Sequence, residues 1–449
     1  MCLSACTGAG SPTVPPTDDG PVRVTVRFDM SMGADAAARG TTPVVNGVQL
    51  ESDPLSMNWD GSVLSGNVRV NNVSTGSTMT DIEARIFSIS NVNIEPNDDT
   101  WNYNSAAEGL SSSFVNWAFS GSGGADFEFV VEVSWAPVPA KVAWMSYDGG
   151  NYEVYVANRD GTDLVNVSNY PDADESPSLS ADGSKVAWMR YCDGNNEVYV
   201  ANTDGTNVVN ISNCNTADDE HPSLSADGSK VAWTSYRGGN GEVYVANTND
   251  PEGLVNVSNC NTAGDADPSL SADGSMVAWT SYRGGNAEVY VANTDGTDPK
   301  NVSQDSATDE LASLSADGSK VAWVSDRSGN SKVYVANTDG TGLVEVAEGL
   351  APSLSADGRK VAWMSSHDGD YEVYVASTDG LGQIVNVSRE PYARDLSPSI
   401  SADGSKVAWQ SYGDWDYEVY IAKADGTGTA VNVSNHDEGD DYYASLQGN

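Results

Sequence analysis

The sequence predicts an all-β protein, a seven-bladed β-propeller preceded by an immunoglobulin-like β-sandwich, and three observations carry that expectation. A phrase close to PSLSADGSKVAWxSYxxGNxEVYVANTDGTxxVNVSN is written about seven times between the 130s and the last residue of the 449-residue chain. The tryptophan that closes its Val-Ala-Trp step falls at Trp144, Trp188, Trp233, Trp279, Trp323, Trp363 and Trp409, a period of 40 to 46 residues that suits one blade per unit. Ahead of the repeats, short runs rich in Val, Ile and Phe alternate with Gly, Ser, Asn and Asp and show no helical period. The chain therefore divides into residues 1–20, a flexible tether, 21–135, the sandwich, and 136–449, the propeller.

Within a unit, four short runs read as strands, for example Pro177 to Ser180, the Val-Ala-Trp run, Glu197 to Ala201 and Val208 to Ser212. Asp182-Gly183 and Asp204-Gly205 mark hairpin turns, because Asp-Gly tolerates the positive φ that such turns require. The Val-Ala-Trp run is apolar at consecutive positions, as expected of a strand covered on both faces. Four small antiparallel strands cannot bury two faces alone, and radial stacking of seven such sheets solves the problem. A tryptophan in every blade points to packing between blades rather than to a stacking platform for sugars or bases. The first unit lacks a clear opening strand, and Ala444-Ser445-Leu446 matches the Pro-Ser-Leu of the others, so the last strand is expected to complete the first blade. Val133 to Pro137 is the rival for that place. In the front section the expected strands are Val22 to Phe28, Gly66 to Val73, Ile82 to Ile94, Phe114 to Phe119 and Phe127 to Trp135.

Composition narrows the function. With 64 acidic and 22 basic side chains the formal charge is −42, which disfavours binding to phosphate backbones and favours cations or basic protein faces. No run of 18 apolar residues occurs, so no helix spans a membrane. The loop entering each first strand places an Asp three residues before the Pro or its equivalent: Asp174, Asp219, Asp265, Asp309, Asp395 and Asp441, with Gly349 breaking the series. These six carboxylates are the candidate ligand- or partner-binding face, an acidic funnel for a cation or a basic partner segment; no cofactor is expected, and Ca2+ is the one ion such a funnel would suit. The alternative is that each Asp caps its own loop by accepting backbone N–H groups. Cys192 and Cys214 stand where a disulfide is geometrically reasonable, with Cys260 as a competing partner; a three-cysteine metal site lacks a histidine in the same loops beyond His221.

Catalysis is disfavoured on several counts. No Gly-x-Ser-x-Gly elbow is present, although a serine nucleophile needs its base and that geometry. His221, His367 and His436 lie in separate blades, so no histidine-held metal centre for lyase chemistry is apparent. Acidic residues are so numerous that no one pair singles itself out for glycoside chemistry.

The units, quoted as Pro222-Ser223-Leu224-Ser225-Ala226-Asp227-Gly228-Ser229-Lys230-Val231-Ala232-Trp233 followed by SYRGGNGEVYVANTND, resemble the TolB-type propeller repeat, and Ser325-Asp326-Arg327-Ser328-Gly329-Asn330 is the nearest copy of its middle part. That resemblance implies a periplasmic or extracellular propeller that binds proteins or small ligands across one face. Leu3-Ser4-Ala5-Cys6 resembles the lipobox of bacterial lipoproteins, implying lipidation of Cys6, and the Gly/Pro/Thr-rich stretch after it suits a tether. The expectation is a monomeric, non-catalytic binding scaffold of the cell envelope, or secreted, whose only membrane contact is a lipid anchor, with no nucleic-acid partner. An enzyme acting on extracellular glycans and a purely structural envelope protein are the alternatives. Specificity should sit where copies disagree: Gly349, Asp326 and Ser366 in place of Tyr, Lys332 in place of Glu, and the inserted Trp415.

Overall fold

The computed structural model describes the strands between residues 22 and 137, and residues 140–446 apart from 149, 214–215, 261, 368, 390–392, 414–415 and 435–438. Two compact units result, Met1–Val138 and Pro139–Asn449. Every regular element among the described residues is a strand.

In the front unit, Val22–Phe28, Phe127–Pro137, Met79–Ile89 and Thr100–Tyr103 form one antiparallel sheet in that order, and Val48–Ser52, Val63–Asn72, Val115–Gly121 and Val92–Ile94 form another, with Asn58–Trp59 paired to Val63–Asn72. The run expected as one strand over Ile82 to Ile94 is thus two, because the chain passes from the first sheet to the second inside it. Phe127–Pro137 is fully engaged between Val22–Phe28 and Met79–Ile89, which removes Val133 to Pro137 as a candidate for closing the propeller.

The second unit contains seven four-stranded antiparallel sheets. Blade two is representative: Asp174–Leu179 innermost, then Lys185–Cys192, Asn195–Asn202 and the short Val209–Asn210 at the rim. Blade one is completed from the far end of the chain, where Asp441–Leu446 pairs with Lys141–Asp148, Val142 opposite Leu446 and Ala143 opposite Ser445. The Asp-Gly turn between the first two strands takes the form the sequence demands: Gly183 has φ +67°, and Asp182 Oδ1 accepts from the Ser184 N–H and the Ser180 hydroxyl.

Packing between blades explains the Val-Ala-Trp step. Each core cluster joins two successive blades: Ala143, Val154, Val156 and Val167 of blade one meet Leu179, Val186, Trp188 and Ala201 of blade two. The same arrangement closes the ring, where Ala408, Val419, Ile421 and Val433 of blade seven meet Val142, Trp144 and Leu446 of blade one. All seven tryptophans are at most 2% exposed. Burying 150–250 Å² of each indole contributes roughly 4–6 kcal/mol gross at about 25 cal/mol per Å².

A second, polar circuit runs around the channel. The serine of each Pro-Ser-Leu accepts the N–H of the next blade's inner-strand Leu or Ile: Leu179 N–H to Ser445, Leu224 to Ser178, Leu270 to Ser223, Leu314 to Ser269, Leu354 to Ser313, Ile400 to Ser353 and Leu446 to Ser399, at 3.0–3.1 Å. Two of these bonds, those of Leu179 and Leu446, exist only because the C-terminal strand is in place. Deleting residues 440–449 is therefore expected to lower the melting temperature by more than about 10 °C, several kcal/mol for a unit of this size, and calorimetry on the full-length and truncated proteins checks it.

Candidate functional site

The six aspartates predicted to line an acidic funnel all lie at or beside the start of their innermost strands, and all are fully buried: Asp174, Asp219, Asp265, Asp309, Asp395 and Asp441 have 0% exposure. They do not present a face to solvent. The spacing of 14 residues from Asp to Trp and the antiparallel pairing, with Asp219 opposite Ser235 two residues past Trp233, bring the carboxylate under the indole. The indole N–H groups of Trp188, Trp233, Trp279, Trp323 and Trp409 donate to Oδ1 of Asp174, Asp219, Asp265, Asp309 and Asp395 at 2.7–3.0 Å. The partners are therefore side chains of the neighbouring strand, where the sequence had suggested either a cation or loop N–H groups. Burial pushes the Asp174 carboxyl up to about 6 against the pull of Arg190 and the indole, and burial raises Asp219 and Asp265 as well.

Arginines supply the countercharge in blades two to five. In blades three, four and five the Arg four residues after Trp reaches back: Arg237, Arg283 and Arg327 donate from Nε to Ser235, Ser281 and Ser325 at 2.8–2.9 Å. Their Nη2 atoms lie 2.9–3.3 Å from Asp219, Asp265 and Asp309 and also donate to the Ser212, Ser258 and Ser303 carbonyls of the preceding blade. Each guanidinium covers a tyrosine ring at 4.6–4.8 Å, that of Tyr244, Tyr290 or Tyr334. Blade two uses Arg190, only two residues after Trp188, to reach Asp174 at 2.6 Å, the Ser168 carbonyl at 3.0 Å and the Tyr199 ring at 4.5 Å. Sequence reasoning missed this clasp, although the recurring Arg of SYRGGN and SDRSGN was its signal.

Blade six departs in both members. Gly349 replaces the aspartate, and the exposed His367 stands at the arginine position. A Cβ on Gly349 would lie 2.3 Å from Trp363 Cδ1 and 2.6 Å from the Met364 carbonyl, so this backbone has closed over the space an Asp would need. The Trp363 indole N–H is buried without a hydrogen-bond partner.

One open concavity is the central channel, a cavity of about 490 Å³ walled by the inner strands of the blades. At a bulge in each of these strands one residue adopts the left-handed conformation: Ser176, His221, Asp267, Leu311, Ala351, Ser397 and Tyr443, with φ between +50° and +59°. Such backbone costs about 1–3 kcal/mol at a non-Gly residue and persists only where neighbours hold it. Here the preceding blade helps: the Asp267 N–H donates to Thr234 Oγ1, that of Leu311 to Thr280 Oγ1 and that of Tyr443 to Gln410 Oε1. The geometry repeats, but the side chains differ in nearly every blade. His221 Nδ1 and Asp267 Oδ1 pair at 2.9 Å across two blades, and the hydrogen bond to Asp267 raises the His221 pKa. Leu311 and Tyr443 are 41% and 50% exposed. A tyrosine cluster adjoins the closing seam, with Tyr442 contacting Tyr417, Tyr152 and Tyr443 at centroid distances of 4.8, 6.3 and 6.5 Å. Burial and the nearby Asp440 carboxylate hold the Tyr442 hydroxyl in its neutral form well beyond the ordinary range.

Cys192 and Cys260 are free and half-buried; Cys214, to which the sequence pairs Cys192, lies outside the described residues, as do Cys6 and Trp415. No group of three His, Cys, Asp or Glu side chains able to hold a metal ion occurs among the described residues.

The TolB beta propeller domain family matches residues 126–259 and 252–369, together more than half of the chain. No curated protein matches the sequence. Among solved structures, TolB from Acinetobacter baumannii is 22% identical over 59% of this chain and 67% of its own, with a TM-score of 0.46. A puromycin-hydrolyzing peptidase from Mycobacterium tuberculosis is 17% identical over 67% of this chain, with a TM-score of 0.51, and the match spans about half, 53%, of that peptidase. An oligogalacturonate lyase from Vibrio parahaemolyticus is 14% identical over 67% of this chain and 86% of its own, with a TM-score of 0.48. Likeness at these identities shows the fold alone.

Two outcomes follow from the site's geometry. Trp233→Phe strips Asp219 of its indole donor and should cost about 1–3 kcal/mol more than Trp363→Phe, which removes an N–H that is already unpaired; urea unfolding of both variants measures the difference. Because the His221 pKa is raised in the folded state, the stability it draws from Asp267 is fully present below the unfolded histidine value of about 6.5 and is lost as pH rises through the raised one. The melting-temperature gap between wild type and Asp267→Asn should therefore be widest near pH 5.5 and shrink toward alkaline pH.

Proposed function

Because this chain belongs to the TolB β-propeller family, we propose that it is a non-catalytic binding scaffold of the cell envelope that offers the mouth of its central channel to a protein segment or small ligand. The observation that carries this reading is the ring of left-handed residues. Backbone geometry is repeated in all seven blades, while the side chains it presents are Ser, His, Asp, Leu, Ala, Ser and Tyr. Positions that serve only the fold repeat, as Trp and the Pro-Ser-Leu serine do, so variation on a constrained backbone is what selection for one asymmetric ligand would leave.

The wall supports a mixed contact. His221 and Asp267 offer a polar pair on one side, Leu311 and Ala351 an apolar stretch, and Tyr443 an aromatic group. An exposed tyrosine is the kind of side chain that anchors binding hot spots. The net charge of −42 favours a partner with basic character. In this reading the front unit is an immunoglobulin-like sandwich that spaces the ring from a lipid anchor at Cys6.

The test is capture from envelope extracts by the full chain, compared with a His221→Ala/Tyr443→Ala double variant. Loss of the captured partner by tenfold or more, about 1.4 kcal/mol, with a melting temperature within about 3 °C of wild type, supports the reading. Equal capture by both proteins overturns it. Turnover of a glycan by wild type that disappears in the same double variant would replace binding with catalysis.

A further inference from the structure

The residue three after each core tryptophan divides the ring into two arcs. Blades seven, one, two, three and four place Tyr412, Tyr147, Tyr191, Tyr236 and Tyr282 there, and blades five and six place Asp326 and Ser366. The five tyrosines are 37–51% exposed, so consecutive blades carry an arc of aromatic side chains that reach solvent. Their backbone is fixed beside the entry of each innermost strand. The N–H groups of Tyr147, Tyr191, Tyr236 and Tyr282 donate at 2.9–3.0 Å to the carbonyls of Asp440, Ala173, Asp218 and Gly264, each the residue before the buried aspartate. The fold does not require these rings, since blade six places Ser366 there and still stacks Trp363 on Tyr374 at 6.0 Å.

Carboxylates stand among the rings. Glu220 of blade three accepts from Asn196 Nδ2 of blade two at 3.2 Å, and Glu310 of blade five accepts from the Tyr282 hydroxyl of blade four at 3.4 Å. Burial, with Glu220, Asp267 and Asp218 nearby, holds the Tyr236 hydroxyl neutral above its ordinary range. Burial, with Glu310 and Asp267, does the same for Tyr282. The arginines of these blades do not offset that charge, because Arg190, Arg237, Arg283 and Arg327 are held by the buried Asp174, Asp219, Asp265 and Asp309.

We infer that the sector from Tyr191 to Glu310 docks a basic segment of a partner protein, whose Lys or Arg side chains lie across the exposed tyrosine rings with their charges against the carboxylates between them. This assignment rests on the reading of the channel mouth as a binding face, and it names the chemistry of the occupant. A cation is attracted to the face of a tyrosine ring, and a carboxylate at its edge adds a charge-assisted hydrogen bond. The chain makes the same pairing internally, where Arg237 and Arg283 cover Tyr244 and Tyr290 while bound to an aspartate. Charge selects against the other occupants. A second copy of this chain carries the same −42 and is repelled, and residues 1–21 contain neither Lys nor Arg.

Isothermal titration of the full chain in about 150 mM salt with the peptide Gly-Arg-Gly-Arg-Gly-Arg-Gly and its glutamine counterpart, Gly-Gln-Gly-Gln-Gly-Gln-Gly, tests this. Wild type should bind the arginine peptide saturably below about 1 mM and at least tenfold more tightly than the glutamine peptide. Attraction to an acidic protein by charge alone would ignore an uncharged substitution, so the deciding variant is Tyr191→Ser/Tyr236→Ser/Tyr282→Ser, which copies Ser366 and leaves the net charge at −42. It should weaken binding tenfold or more. Tyr236→Leu/Tyr282→Leu, which keeps apolar bulk and removes the rings, should weaken binding about fivefold or more and decides the matter if the triple variant does not fold. No saturable binding by wild type, or binding unchanged in the tyrosine variant that folds, overturns the inference. Either result leaves the channel-mouth reading to stand or fall on capture by the His221→Ala/Tyr443→Ala variant.

Discussion

The indole buried between consecutive blades is the constraint from which the rest of the propeller follows. A four-stranded sheet with two apolar faces has no stability alone, so each blade must lend a face to the next, and a large flat side chain at the second strand fills that seam. The indole brings one polar atom into the core with it. Leaving that N–H unpaired costs about 1–3 kcal/mol, which accounts for the aspartate 14 residues earlier. A buried carboxylate is itself expensive unless paired, which accounts for the arginine. A packing requirement has thus propagated into a polar chain that runs from Trp through Asp and Arg to the serine carbonyl of the preceding blade. The indole's hydrophobic contact and the arginine's bond to that carbonyl tie the same two blades, and the two polar links between them lie within one blade.

That hierarchy explains which parts of the molecule could be read from the sequence. The period, the Asp-Gly turns, the strand order and the closing role of Asp441–Leu446 were legible, because each rests on local chemistry that repeats in every unit. The direction of the Asp side chains was not. Counting residues places Asp174 three before Pro177, in what reads as a loop beside the channel, but a bulge between Glu175 and Ser178 shifts the register and the carboxylate turns into the seam. That bulge puts Ser176 into the left-handed conformation, as its counterpart between Glu220 and Ser223 does His221, and hands the channel wall to the residue before the proline. No propensity rule marks Leu311 or Tyr443 as left-handed, since β-branched and bulky residues alike avoid it; the conformation is imposed by the strand pairing and the acceptors of the preceding blade.

Departures from the repeat come in coupled sets. In six blades the fourth-strand serine donates to the glutamate that opens or nearly opens the third strand, as Ser212 does to Glu197 and Ser303 to Glu288, except in blade five, where Lys332 stands for the glutamate and Ala347 for the serine. Losing both partners leaves nothing stranded, and Lys332 turns instead to Glu345. Gly349 and His367 form a second such set in blade six. There the exchange is incomplete, since the Trp363 N–H is left behind, and the backbone has collapsed onto the indole so that no space remains.

Blade seven departs at one member alone. It retains the aspartate and its indole donor, while Ser411 and Gly413 stand where other blades place an arginine. In blade six, where the carboxylate itself is gone, close packing is restored over the vacated place, because a cavity without a favourable occupant costs stability in proportion to its volume. A ring built from copies has a built-in reference state, since each blade shows what its neighbours would be if they served the fold alone. Measured against that reference, the unrepeated side chains that one constrained backbone position presents to the channel are what the fold does not require.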